Sequence, residues 1–185
     1  MAHMWFGDLV TMRWWDDLWL KESFATWASN FAVSELAEDK TAVWARFLHG
    51  FKTNAYRGDQ LPSTHPVAAD IPDLEAVESN FDQITYAKGG SVLKQLVAWV
   101  GIDAFYAGVA AYFQKHHHSN TELRDLLVEL EATSGRELTS WSEKWLETAG
   151  VNTLRPEIET DADGVVTAFA VLQDCLLYTS PSPRD

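Results

Sequence analysis

From residue 17 to residue 145 the apolar residues of this chain recur every three or four positions, and beyond Arg155 they alternate singly. The first spacing is that of a helix with one buried face, and the second is that of a strand. The change falls near residue 150, so one chain calls for two kinds of structure in succession.

Within residues 17–36, Leu18, Phe24, Trp27, Phe31 and Val33 stand at helical spacing; Val43, Trp44, Phe47, Leu48 and Phe51 do so within 38–54. Residues 57–72 hold three prolines and Gly58, which predicts a long irregular connection. Helical spacing resumes near Leu74. It continues through 86–100 (Val92, Leu93, Leu96, Val97, Val100) and 102–115 (Phe105, Tyr106, Val109, Phe113). Ser119 and Glu122 are spaced as a capping box ahead of Leu123, Leu126, Leu127 and Leu130. Leu138, Trp141 and Trp145 mark a last short helix before Gly150. The stretch RPEIETDADGVVTAFAVLQ then alternates around an Asp-Gly pair, the signal of a hairpin. A lone hairpin is marginal in water, so a second domain is expected to continue from it. The reading is an all-helical body over 1–150 and the start of a β element over 151–174.

Charge narrows the function. Fourteen Lys and Arg against 27 Asp and Glu give a net charge of −13, which argues against nucleic acid or an anionic membrane as partner. It suits a site that draws in cationic substrates, although solvated helix faces account for most of these carboxylates. A composition 46% hydrophobic supports a sizeable core. No apolar run approaches the ~18 residues that span a bilayer, and no signal segment opens the chain; a cytoplasmic setting is expected. Cys175 is the one cysteine, so no internal disulfide forms. It begins CLLYTSPSPRD, which reads as a translated sequencing adapter, so residues 175–185 are set aside as not native.

Eighteen residues separate His3 from Glu22. By spacing alone, a histidine satisfied by a neighbour and a glutamate on a helix surface explain the pair. Both lie in aromatic-rich segments, however, where an unpaired charge is costly. Their stretch, AHMWFGDLVTMRWWDDLWLKESFATW, closely resembles the zinc-site region of the aminopeptidase N family of gluzincin metallopeptidases, bacterial type. In that family HExxH is followed, eighteen residues on, by a glutamate. The resemblance implies that His3 is the second histidine of the motif and Glu22 the third zinc ligand. The first histidine and the catalytic glutamate would immediately precede Met1, so the chain is expected to be a fragment beginning inside the motif. Histidines four apart on a helix share a face, and a carboxylate from the next helix completes three ligands with water in the fourth position. The water is acidified by the ion and gives its proton to the motif's glutamate. Lys21 stands where the family usually has asparagine. Asp16 or Asp17 could orient a zinc-bound histidine.

FDQITYAKGGSVLKQL resembles the family segment whose tyrosine stabilises the tetrahedral intermediate, and Tyr86 falls on that position. Without the resemblance Tyr86 reads as an amphipathic core residue at a helix start. Lys88, Gly89 and Gly90 do not make a phosphate loop, because the lysine precedes the glycines; the glycines fit close helix packing. His65, in DQLPSTHPV, is assigned no chemical role, and His49 reads as an ordinary helix residue. His116, His117 and His118 cannot converge on one ion from a helix, where neighbours point about 100° apart; they suit a helix end.

WLETAGVNTLRPEIE resembles the exit of bacterial members into a β-sandwich. The implied fold is mainly α: the C-terminal helical part of a thermolysin-like catalytic domain over 1–150, then the start of a β-sandwich domain over 151–174. The implied activity is a zinc aminopeptidase acting on peptides with free N-termini, with one Zn²⁺ and with the chain alone inactive. The family's Gly-x-Met-Glu-Asn anchor for the substrate amine is absent from these residues. Two alternatives stand beside this reading: the epoxide-hydrolysing branch that shares the zinc motif, and a non-catalytic helical scaffold.

Overall fold

The computed structural model describes residues 1–174, so the adapter-like stretch 175–185 lies outside the described residues. The fold is mainly α, as the periodicity predicted, and divides into two units, Met1–Ala149 and the residues from Gly150 onward.

The first unit is organised on α1 (Leu18–Leu36), which buries Trp19, Leu20, Phe24 and Trp27. Ahead of it come a 3₁₀ turn (Ala2–Met4), a short strand β1 (Val10–Met12) and a second 3₁₀ turn (Trp15–Asp17). Phe6 fastens this opening segment to the body. Its ring lies 4.2 Å from Phe24, 4.8 Å from Phe113 and 5.4 Å from Tyr112, and it is 2% exposed. Burying such a side chain contributes about 1.5–3 kcal/mol.

After α1, Asp39 accepts the backbone N–H groups of Thr41 and Ala42 and caps α2 (Lys40–Phe47). A π-helical turn (Leu48–Lys52) joins α2 to α3 (Thr53–Gly58) without a break. The irregular connection follows, ending where Asp73 caps α4 (Leu74–Asn80). A second π-helical turn (Ile84–Lys88) runs directly into α5 (Gly89–Val100). Gly101, at φ +88°, then lets the chain bend into α6 (Ile102–His116). Strand β2 (Ser119–Thr121), α7 (Leu123–Ser134) and α8 (Thr139–Trp145) complete the unit.

Two glycines set how closely the helices approach. A Cβ on Gly89 would lie 2.0 Å from Ser23 Oγ, so α5 can meet α1 here only through glycine, as the sequence suggested for close packing. A Cβ on Gly108 would lie 2.8 Å from Leu130 Cδ2, which fixes α6 against α7 in the same way.

Several expectations need correction. The body is not all-helical: β1 pairs in parallel with β2, Val10 opposite Ser119 and Met12 opposite Thr121. Three-residue strands over a hundred positions apart leave no periodic signal. Ser119 lies in this ribbon and does not cap α7; the reciprocal box is made by Glu122 and Asp125. Leu48 and Phe51 are half exposed, because the π turn adds a residue and rotates them off the face that buries Val43 and Phe47. Val33 is exposed near the end of α1, and Tyr106 and Trp145 are also largely exposed. Tyr112, which the spacing did not single out, is fully buried; its hydroxyl lies 2.6 Å from the Thr121 hydroxyl, under the ribbon. No single helix among the described residues is long and apolar enough to cross a membrane.

In the second unit, β3 (Thr153–Thr160) and β4 (Val166–Asp174) form the expected antiparallel hairpin. Asp161 Oδ1 accepts from the backbone of Asp163 and Val165, and Gly164 takes φ +80°. These contacts close the turn.

Candidate active site

Glu22 sits one turn into α1, between the buried Leu20 and Phe24, and is 7% exposed. A carboxylate so placed needs partners. It has three. His3 Nε2 lies 3.5 Å from Oε2, Lys21 Nζ lies 3.6 Å from Oε1, and the Tyr86 phenol lies close enough to the carboxylate to feel its charge. The structure therefore brings His3, Glu22 and Tyr86 together from three separate segments.

His3 comes from the opening 3₁₀ turn and not from an α-helix, since three residues make one hydrogen-bonded turn and no more. Its side chain is half exposed, so the buried histidine that spacing alone suggested is not what forms. Nδ1 lies 3.3 Å from the Phe6 carbonyl, an acceptor that orients the ring and turns Nε2 toward Glu22. A backbone carbonyl thus orients this imidazole; neither Asp16 nor Asp17 does. Asp16 accepts from the Asp17 amide, while Asp17 accepts from Trp19 Nε1 and from the Leu123 amide and is buried. Burial pushes the Asp17 carboxyl from its ordinary 3.8 up to about 6.

Two electron-pair donors 3.5 Å apart, one nitrogen and one carboxylate oxygen, have the spacing of neighbouring ligands on one ion. Arms of about 2.1 Å at tetrahedral angles put ligand atoms roughly 3.4 Å apart. The donor types and their separation fit two of the protein ligands of a zinc site. Among the described residues no group of three His, Cys, Asp or Glu side chains could hold a metal ion. His116, His117 and His118 do not form one either. His116 packs on Tyr112, His117 Nδ1 meets the Gln114 carbonyl, and His118 turns the chain at φ 62°. His49 lies exposed in the first π turn.

Tyr86 is carried at the middle of the second π turn, and that turn is held from several sides. Ser23, next to Glu22, donates to the Thr85 carbonyl at 2.6 Å. Asp82 Oδ1 accepts from the Ile84 and Thr85 amides. Burial, and then the adjacent Glu22 carboxylate, push the Tyr86 phenol above its ordinary 10. The group stays protonated and is a hydrogen-bond donor.

Sequence reasoning missed the pairs around this turn. Lys88 Nζ lies 2.8 Å from Asp59 Oδ2, with Asp59 3% exposed, and His65 Nε2 lies 3.2 Å from Asp82 Oδ2. Burial works against a charged His65, but the Asp82 carboxylate outweighs it and lifts the imidazole above its ordinary 6.5. Burial likewise opposes a charged Asp82, yet His65 and the two amides hold its carboxyl below 3.8. These partners come from an irregular segment with no period, so no spacing signal could have found them.

Comparison with known proteins agrees on one family. A profile described as the Peptidase family M1 domain matches residues 1–145. Aminopeptidase N of Streptomyces lividans is 63% identical over 175 residues, which is 94% of this chain and 20% of that protein. The tricorn protease-interacting factor F2 of Thermoplasma volcanium is 38% identical over 164 residues, 89% of this chain and 20% of that protein. A leucyl aminopeptidase of Saccharolobus solfataricus is 37% identical over 158 residues, 85% of this chain and again 20% of that protein. The chain spans about a fifth of the length of the curated relatives it matches.

Proposed function

The chain belongs to peptidase family M1, and from that premise we propose that it carries part of the active site of a zinc aminopeptidase. Its substrates would be peptides with free N-termini. Residues 1–150 would be part of a thermolysin-like catalytic domain, and the hairpin over 151–174 the start of a β-sandwich domain.

The observation that carries this reading is the convergence of His3 and Glu22, donor atoms 3.5 Å apart, with the Tyr86 phenol against the same carboxylate. His3 Nε2 and a Glu22 oxygen would hold the zinc. When bound, the ion supplies an acidified water and polarises the scissile carbonyl. Each residue of this chain then has one task. The Phe6 carbonyl orients the His3 ring. Glu22, buried on α1, offers a carboxylate fixed by its helix and partly neutralised by Lys21. Tyr86 donates its phenolic hydrogen to the carbonyl oxygen as negative charge develops there, a preorganised contact of the kind worth about 3–4 kcal/mol.

Because no three His, Cys, Asp or Glu side chains converge among the described residues, the chain alone is expected to hold zinc weakly and hydrolyse nothing measurable. The same observation is what a non-catalytic scaffold would offer. An exchange decides between them. Residues 1–174 are put in place of the matching segment of the Streptomyces aminopeptidase, and zinc-dependent hydrolysis of an alanine anilide is measured. The expected result is activity that Glu22→Gln abolishes and Tyr86→Phe lowers by about 10²–10³ in kcat. A folded, zinc-loaded exchange protein with no turnover would favour the scaffold.

A further inference from the structure

The turn that carries Tyr86 is clasped by one stretch of the irregular connection, residues 59–67. At one end Asp59, 3% exposed, holds Lys88 and also accepts from the Thr64 hydroxyl at 2.7 Å. At the other end His65 faces Asp82, and Val67, 2% exposed, packs where a Cβ on Gly89 would stand. Asp82 and Lys88 lie on either side of Tyr86 in the chain, so the stretch grips the turn before and after the phenol.

The two grips differ in chemistry. One joins an amine to a carboxylate, and the other an imidazole, the side chain whose charge changes near neutral pH. The surroundings of His65 define the form it must take. Nδ1 lies 2.7 Å from the Pro66 carbonyl, and Nε2 is buried 3.2 Å from Asp82 Oδ2, close enough for an ion pair though not aligned as a hydrogen bond. A carbonyl and a carboxylate can only accept, so a ring bearing hydrogen on both nitrogens satisfies both neighbours and a neutral ring leaves one facing a lone pair. Asp82 in turn spends its other oxygen on the Ile84 and Thr85 amides, which open the turn that aims Tyr86. The charged groups facing His65 are Asp82 and, at longer range, Lys88, whose charge Asp59 balances.

We propose that His65 and Asp82 are a positioning pair that, with His65 protonated, holds the Tyr86 phenol against Glu22. The pair touches neither zinc nor substrate; it acts through the backbone of the turn, and it makes the site's geometry sensitive to pH. The inference rests on Tyr86 being the oxyanion donor for its consequence in catalysis, but not for its test in the protein itself.

The test is made by NMR on the full chain, without metal, following the His65 ring signal and the nuclear Overhauser contact between the Tyr86 ring and the Glu22 side chain. In the wild type the contact is expected to be lost as pH rises over the range in which His65 titrates. In Asp82→Asn and His65→Gln, both sparing the fold's core, it is expected to be weak at every pH. A contact unchanged while His65 titrates in the wild type would overturn the proposal without any variant having to fold. In the exchange enzyme His65→Gln is expected to lower kcat about tenfold with KM within about twofold and to remove an alkaline limb from the profile. A merely structural pair would lower thermal stability and leave that profile in place, which overturns the proposal. If Tyr86→Phe proves fully active, the functional reading fails while the NMR result still decides the positioning.

Discussion

Two turns deliver side chains to Glu22, and they are built in opposite ways. The opening 3₁₀ turn presents His3 half exposed, with one ring contact to a backbone carbonyl and a single aromatic anchor, Phe6, three residues on. The π turn presents Tyr86 with its amides capped by Asp82, its Thr85 carbonyl held by Ser23, and a strap of two ion pairs across it. The lesson is about where precision is stored. On the tyrosine side it is local and redundant, whereas on the histidine side it is delegated to one buried ring.

Changes to that ring should break the comparison most severely. Phe6→Ala is expected to cost about 3–5 kcal/mol, as for other fully packed aromatic side chains. The cost is read from urea unfolding, and the His3 signals should become those of a free peptide while Tyr86 keeps its contact with Glu22. Loss of both contacts together would mean the two turns are not independent.

A smaller effect lies in pH. Asp17, buried between the opening segment and the start of α7, is held at about 6 against an ordinary 3.8. The folded chain therefore binds this proton more tightly than the unfolded chain does. Its contribution to stability is fully present below pH 3.8 and is lost as pH rises through about 6. The difference amounts to about 3 kcal/mol at most. Thermal unfolding of wild type and Asp17→Asn between pH 4 and pH 7 checks it: the variant should lack this part of the pH dependence.

Gly89→Ala probes the braced side. Its Cβ would sit 2.0 Å from Ser23 Oγ, so α5 must retreat, at about 1–3 kcal/mol. Adding Ser23→Ala should recover part of that, but leave the Thr85 carbonyl without its donor. Full recovery by the double variant, measured by unfolding, would show that the Ser23 bond contributes nothing. His3→Ala should be the mildest of all, within about 0.5 kcal/mol for an exposed side chain. A larger loss would mean that the histidine supports the fold.

The same contrast explains what could be read before any coordinates were known. Long helices with one apolar stripe, such as α5 with Val92, Leu93 and Leu96, declare themselves because local spacing dictates burial. The β1–β2 ribbon does not, because its partners are distant and each strand is three residues long. Leu48 and Phe51 were misplaced by an inserted residue that shifts helical register, which no periodic count anticipates. At the site, His3, Glu22 and Tyr86 were singled out through a resemblance, since spacing alone left each with a plain structural explanation. The Phe6 carbonyl, Ser23 and the His65–Asp82 pair are contacts made by folding between segments that share no period.

Titration of zinc into the full chain, comparing wild type with His3→Ala and Glu22→Gln, tests the central claim most directly. One weak site per chain, lost in both variants, is the result expected if His3 and Glu22 are ligands of a common ion. Binding of equal strength in all three proteins would place the metal elsewhere and contradict the account.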